Sequence, residues 1–206
     1  QQEWDIYLQN KKQSFIVNSK KVGFVSQKKF SELLFGNEHP YGHNVSEKDY
    51  DSLKKEDAYN FYKEYYTAPN TVIVASGNVT DSTLKLLEKH FGDITPTLSI
   101  PAAIGRERVS FSSSGTAGDR HGIHYIEKKD ALQSAIRIGK VLFDKSHSDY
   151  PGMLVLNTIF GGYFGSRLMA NIREDKGYTY GIGSAMVSYS HAGYFTISTE
   201  VGAEVT

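Results

Sequence analysis

No cysteine occurs anywhere in the 206 residues, so disulfides, thiolate catalysis and Cys-ligated zinc are all excluded. The same absence fits reducing and oxidising compartments equally. An excess of either charge is also missing. The 23 Lys and Arg residues are matched by 23 Asp and Glu residues, and without a net field nothing draws the whole chain to nucleic acid or to an anionic membrane. The lysine pairs at 11–12, 20–21 and 28–29 read as solvated helix faces rather than as a basic binding stripe. No apolar run approaches the roughly 20 residues of a membrane-spanning helix, or the core of a signal peptide. Internal repeats and low-complexity tracts are absent. Proline is scarce, and two of its five residues, Pro96 and Pro101, fall in one short stretch.

What is present suffices for a real core, since 39% of the residues are hydrophobic. Residues 3–35 are helix-compatible, with Phe15, Ile16, Val22, Phe24, Val25, Phe30, Leu33 and Leu34 set among Lys and Gln, and Gly36 closes the stretch. A second helix is expected around Leu53 to Tyr66, with Leu53, Ala58, Phe61, Tyr62 and Tyr65 on one side and Pro69 as its stop. The apolar run 71–76 reads as a buried strand. Thr80 or Asp81 then caps a helix through Phe91, with Gly92 past its end. The stretch from Thr95 to Gly105 loses helical periodicity and reads as a junction. The expected organisation is therefore a mostly helical end of a first α+β unit at 1–95, a linker at 96–105, and a second α+β unit at 106–206. Within the second unit, strands are expected near 107–111, 122–128 and 133–143, and Ser148 or Asp149 caps a helix with Pro151 in its first turn that runs to the Gly161-Gly162 break. Strands 178–189 and 193–201 form an antiparallel hairpin across Ser190 to Gly193. The fold class is α+β, antiparallel sheets packed by helices.

The segment Gly161–Gly181, GGYFGSRLMANIREDKGYTYG, is the most informative. Leu168 and Ile172 fall at i, i+4 on one helical face, Lys176 suits the last turn, and Gly177 follows where a positive φ ends a helix. Arg173 then closes a helix and Tyr180 opens a strand, which fixes two hydrogen-bonding side chains near one sheet edge and makes a place to hold a peptide.

Four short pieces stand in order along the chain. They are Phe35-Gly36 leading to His39-Pro40-Tyr41-Gly42; Tyr65 to Asn70 running into Thr71 to Asn78; Gly161-Gly162 with Ser166-Arg167-Leu168; and Arg173-Glu174 with Gly177 and Tyr180. Together they resemble the pitrilysin/insulinase family of zinc metallopeptidases, which includes the mitochondrial processing peptidases, over nearly the whole chain. The resemblance implies the mitochondrial processing peptidase-like metallohydrolase fold, with portions of two such units and a further C-terminal helical part. It also implies a zinc site on a helical H-x-x-E-H, where two His bind metal and the Glu activates water. This chain has no such motif. Among its seven histidines only His39/His43 and His121/His124 are closely spaced, Pro40 and Gly42 interrupt the first pair, and neither pair encloses a Glu. No metal ligand is assigned here, and zinc is expected in a partner half.

What the resemblance leaves to this chain is the non-zinc, substrate-clamping side. It maps the catalytic Arg/Tyr pair of active members onto Arg173 and Tyr180, and substrate-binding positions onto Gly161, Gly162 and Ser166. A neutral phenol donates to an oxygen as negative charge develops there, and an Arg fork holds backbone carbonyls in register. The partners implied are a peptide or unfolded polypeptide and a zinc-bearing half, on the same polypeptide or on another subunit. The chain begins at Gln1 rather than Met, which leaves room for a removed signal or upstream domain. By itself the chain is expected to be inactive. Two rival readings remain: a catalytically silent structural member of the family, with Arg173 paired to Glu174 or Asp175, and a peptide-binding module.

Overall fold

A computed structural model describes residues 2–67, 70–92 and 122–206. These divide into two units, one of residues 2–7, 48–67 and 70–92, the other of residues 8–47 and 122–206. The expected linker at 96–105 and the strand near 107–111 lie outside the described residues.

The larger unit is built on one antiparallel sheet. Strands β1 (Gln133–Leu142), β2 (Ile182–Ser188) and β3 (Gly193–Gly202) lie in the order β1-β3-β2. The register pairs Gln133 with Gly202 and Leu142 with Gly193, then Ile182 with Thr199 and Ser188 with Gly193. Tight closure of the β2–β3 hairpin is completed by Tyr189 N–H donating to the Ala192 carbonyl at 2.8 Å. Mixed helices and an antiparallel sheet give the α+β class expected from the sequence.

Helix α1 (Gln2–Asn18) is followed by α2 (Val22–Phe35), so the long helix-compatible stretch is broken at residues 19–21. Helix α2 packs on β1, which groups residues 8–47 with the sheet of the second unit rather than with residues 48–92. Phe30 and Phe35 of α2 are buried with Ala192 and Tyr194, and Leu34, Tyr41, Val141 and Val187 pack around them. The rings meet edge to face, Phe30 and Phe35 lying 6.0 and 5.9 Å from Tyr194, the arrangement that the ring quadrupoles favour. Gly139 of β1 permits this approach, because a Cβ there would meet the Phe30 ring and, at 2.5 Å, the Phe195 carbonyl.

Successive strand residues face opposite ways. Tyr194 turns toward α2, and its neighbour Phe195 meets Phe160, 6.3 Å away, on the other face. On that second face α6 (Tyr150–Asn157) and the turns that follow it cover β2. Asp149 precedes α6 and Pro151 lies in its first turn, as expected. The glycine pair does not break the helix. A π-helical segment, Thr158–Gly162, carries the helix through Gly161-Gly162 and ends at Tyr163. The expected α-helix through Arg173 is likewise π-helical from Met169 to Asp175, and i→i+5 bonding rotates its faces away from the simple i, i+4 pattern of Leu168 and Ile172. It ends before Gly177, whose φ is +66°.

In the smaller unit, α3 (Glu47–Ser52), α4 (Lys55–Tyr65) and α5 (Asp81–Phe91) carry no buried residue. Thr80 caps α5, its hydroxyl accepting from Thr83 N–H at 3.4 Å. The buried strand expected at 71–76 is not formed: the segment belongs to no sheet, and Val72 and Val74 are 87% and 84% exposed. A strand exists only through a neighbour that takes its N–H and C=O groups, and none among the described residues does so. The strand expected at 122–128 is absent for the same reason, and Ile123 and Tyr125 are exposed.

Burial, and then the adjacent Tyr189, push the Tyr194 phenol up to about 12. Between pH 10 and about 12 the unfolded chain loses this proton while the folded chain keeps it, so unfolding draws on ionisation. Stability of the larger unit should therefore be constant with respect to this group below pH 10 and fall as pH rises toward 12. Urea midpoints measured across that range should show the loss, and Tyr194→Phe should flatten it.

Candidate functional site

Tyr180 does not open β2. It lies two residues before Ile182 on a short segment tied to β3 by hydroxyls. Thr179 Oγ1 donates to the Glu200 carbonyl at 2.7 Å and accepts from Gly181 N–H at 3.1 Å. The Thr199 hydroxyl lies 3.0 Å from both the Thr179 oxygen and the Gly181 carbonyl. Residues 179 and 181 are thus held inward, and the intervening Tyr180 is left 94% exposed. Tyr180 is among the residues lining an open cleft of about 380 Å³ that also takes in Gln133, Arg137, Ser198 and Glu200.

Arg173 is not among the residues lining that cleft. Its guanidinium sits 4.5 Å from the Phe164 ring centroid, a cation–π contact. Among the described residues it forms no ion pair with Glu174 or Asp175. Both side chains lie in one unit, but the structure does not bring them to a shared contact.

Of the three other positions drawn from the motifs, Gly161 and Ser166 are buried and Gly162 is exposed. Gly161 is buried where a Cβ would press on Ser184 and, at 2.7 Å, on Leu168, so it lets the π-turn lie directly on β2. Gly162 is exposed beside Asn157, whose Oδ1 accepts from Ser184 Oγ at 2.8 Å. Ser166 is fully buried, and its Oγ has no partner among the described residues. Its backbone bonds to Tyr163 O and to Ala170 N. The second π-segment is joined to β2 by Ile182 N–H, 3.4 Å from Met169 Sδ.

Sequence reasoning missed Thr179, Thr199, Arg137 and Glu200. The one available signal was the alternation of Arg137 and Gly139 with Ile136 and Ile138, which places Arg137 opposite Ser198 and on the Glu200 face once the register is known. A larger concavity of about 550 Å³ lies along α4, between Leu53, Ala58, Phe61, Tyr62 and Tyr66. Among the described residues nothing covers this apolar helix face, and the charged group in its lining, Asp57, accepts the Lys54 N–H at the helix start.

Among the described residues no three His, Asp or Glu side chains gather to hold a metal. His39 instead accepts from Tyr41 N–H through Nδ1 at 3.0 Å and stacks on Phe35, and burial lowers its pKa. His121 lies outside the described residues, and His124 is exposed. No described helix is long and apolar enough to cross a membrane.

Comparison with known proteins places these features in context. The family model for the peptidase M16 inactive domain matches residues 52–206. The uncharacterized zinc protease YmxG of Bacillus subtilis (strain 168) is 30% identical over 175 residues, covering 84% of this chain and 40% of that protein. A Mycobacterium leprae protein, also named an uncharacterized zinc protease, is 28% identical over 173 residues, 82% of this chain and 37% of its own length. Among solved structures, a peptidase M16 inactive domain from Pseudomonas fluorescens superposes with a TM-score of 0.72 at 22% identity, over 97% of this chain and 47% of that one. The chain thus spans less than half the length of each of these three proteins.

Replacing Thr179 with Val removes the hydroxyl on which the inward hold of 179–181 converges. Hydrogen exchange at Gly181 N–H should accelerate about 10-fold or more, as expected for the loss of one structural hydrogen bond of about 1 kcal/mol or more. Unchanged protection would show that the tether does not hold Tyr180.

Proposed function

We propose, from the premise that this chain belongs to the peptidase M16 family in the region described as the inactive domain, that it is the substrate-clamping portion of a zinc metalloendopeptidase. The observation that carries this reading is Tyr180: an exposed phenol on a rigidly tethered segment, at the mouth of a cleft on the sheet.

The chemistry follows from the phenol. A scissile carbonyl gains negative charge on oxygen as it is attacked, and a fixed O–H donor strengthens its hydrogen bond as that charge grows. Because Thr179 and Gly181 are held to β3, little reorganisation is needed when the charge appears. Arg173 contributes to binding rather than to chemistry. Its fork reaches substrate carbonyls from the Phe164 ring, which buttresses its planar face. Gly161 and Ser166 keep the π-turns seated on β2, and Gly162 offers exposed backbone.

The residues present do not fit a zinc ion: the chain has no H-x-x-E-H and its described part has no ligand cluster. In this reading the metal belongs to a zinc-bearing half of the same family, and this chain alone does not hydrolyse peptides. The second reading is a catalytically silent member that keeps the fold for assembly. It draws support from Arg173, which is satisfied by Phe164 and stands outside the Tyr180 cleft.

The test is reconstitution with the zinc-bearing half. Tyr180→Phe should lower kcat by about 10²-fold with little change in KM, since it removes an interaction made in the transition state. Arg173→Ala should raise KM and weaken peptide binding measured without turnover. Near-wild-type turnover in both variants would favour the silent member.

A further inference from the structure

Arg137 has no role in any motif of the chain. It stands on β1, half-buried, with Nε donating to Ser26 Oγ of α2 at 3.2 Å. A guanidinium has five N–H donors, and this contact uses one of them. Among the described residues no carboxylate forms an ion pair with Arg137. Glu200, on the same face, is opposite Ala135, so it occupies the diagonal position to Arg137, where strand geometry separates side chains by about 7–8 Å. Arg137, Glu200 and Tyr180 line the same cleft.

A tethered arginine with its remaining donors unpaired by any carboxylate is organised in advance for one, because the fork matches two carboxylate oxygens and its side-chain entropy is already reduced. The Glu200 carboxylate, which lies against Gly23 of α2, repels a second anion at its own position. We propose that Arg137 is a specificity-determining residue that binds a carboxylate of the peptide held beside Tyr180, from either an acidic side chain or the peptide's own C-terminus. This inference rests on the peptide-holding reading above and adds the chemistry that the cleft selects.

The experiment is fluorescence-anisotropy binding to the 206-residue chain. The probes are three fluorescently labelled, N-acetylated Ser/Val peptides: one with a central Asp and an amidated C-terminus, one with Asn and a free C-terminus, and one with Asn and an amidated C-terminus. At least one carboxylate-bearing peptide should bind about 10-fold or more tightly than the neutral one, the gain expected of a charge-assisted fork. A gain confined to the Asp peptide identifies a side-chain carboxylate, and a gain confined to the free C-terminus identifies the α-carboxylate. Arg137→Gln should abolish the gain and leave the neutral peptide's affinity unchanged. Arg137→Lys should keep only part of it, and Glu200→Gln should enlarge it by removing the like charge. If all three peptides bind equally, the inference fails while the peptide-holding reading stands. If none binds, both fail. Should Arg137→Gln prove unfolded by circular dichroism, the Glu200→Gln variant decides, and an unchanged or smaller carboxylate preference there overturns the inference.

Discussion

The packing of two phenylalanines of α2 against Tyr194 of β3 is the contact on which the larger unit depends. Phe30 and Phe35 reach the ring edge to face, and Tyr189 and Tyr41 close round Phe35 and each other, their own centroids 4.3 Å apart. Without that cluster α2 has no buried side chain, and Ser26, which it carries to Arg137, has no fixed position. One face of a three-stranded sheet is thereby packed by aromatics, while on the other α6 and the π-turns cover β2. A sheet of this width needs such cover to persist.

The site inherits its rigidity from β3, the central strand. Both neighbours pair with it along their lengths, and the Thr179 and Thr199 hydroxyls extend that pairing past the end of β2. An exposed aromatic is often mobile, but here the residues on either side of Tyr180 are bonded to the most constrained strand of the unit. Preorganisation of this kind is what electrostatic catalysis needs, because a donor that must first be ordered stabilises less.

Much of this was legible from residue order. The α+β class, the β2–β3 hairpin, the cap at Thr80 and the helix after Asp149 follow from patterning and turn chemistry, and family membership follows from motifs spread along the chain. The π-segments were not legible: Gly161-Gly162 reads as a helix break in any local rule, and only the approach to Ser184 shows the helix widening to carry Gly161 onto β2. Residues 71–76 have strand composition, but pairing depends on a neighbour that no local pattern supplies. Tyr180 was expected to open the strand; that it precedes β2 and stands exposed depends on Thr199 and Glu200, some 20 residues further along. Arg173 was expected beside it, but the preference of a guanidinium for the Phe164 face could not be read from spacing alone.

The central claim is that this chain presents the Tyr180 phenol to a peptide bond held between it and a zinc-bearing half. The most direct measurement is a crystal structure of the two halves together with a non-cleavable peptide bound. The expected result is the Tyr180 hydroxyl within about 2.7–3.1 Å of the position of the scissile carbonyl oxygen. A well-ordered peptide with Tyr180 turned to solvent, touching no part of it, would contradict the account.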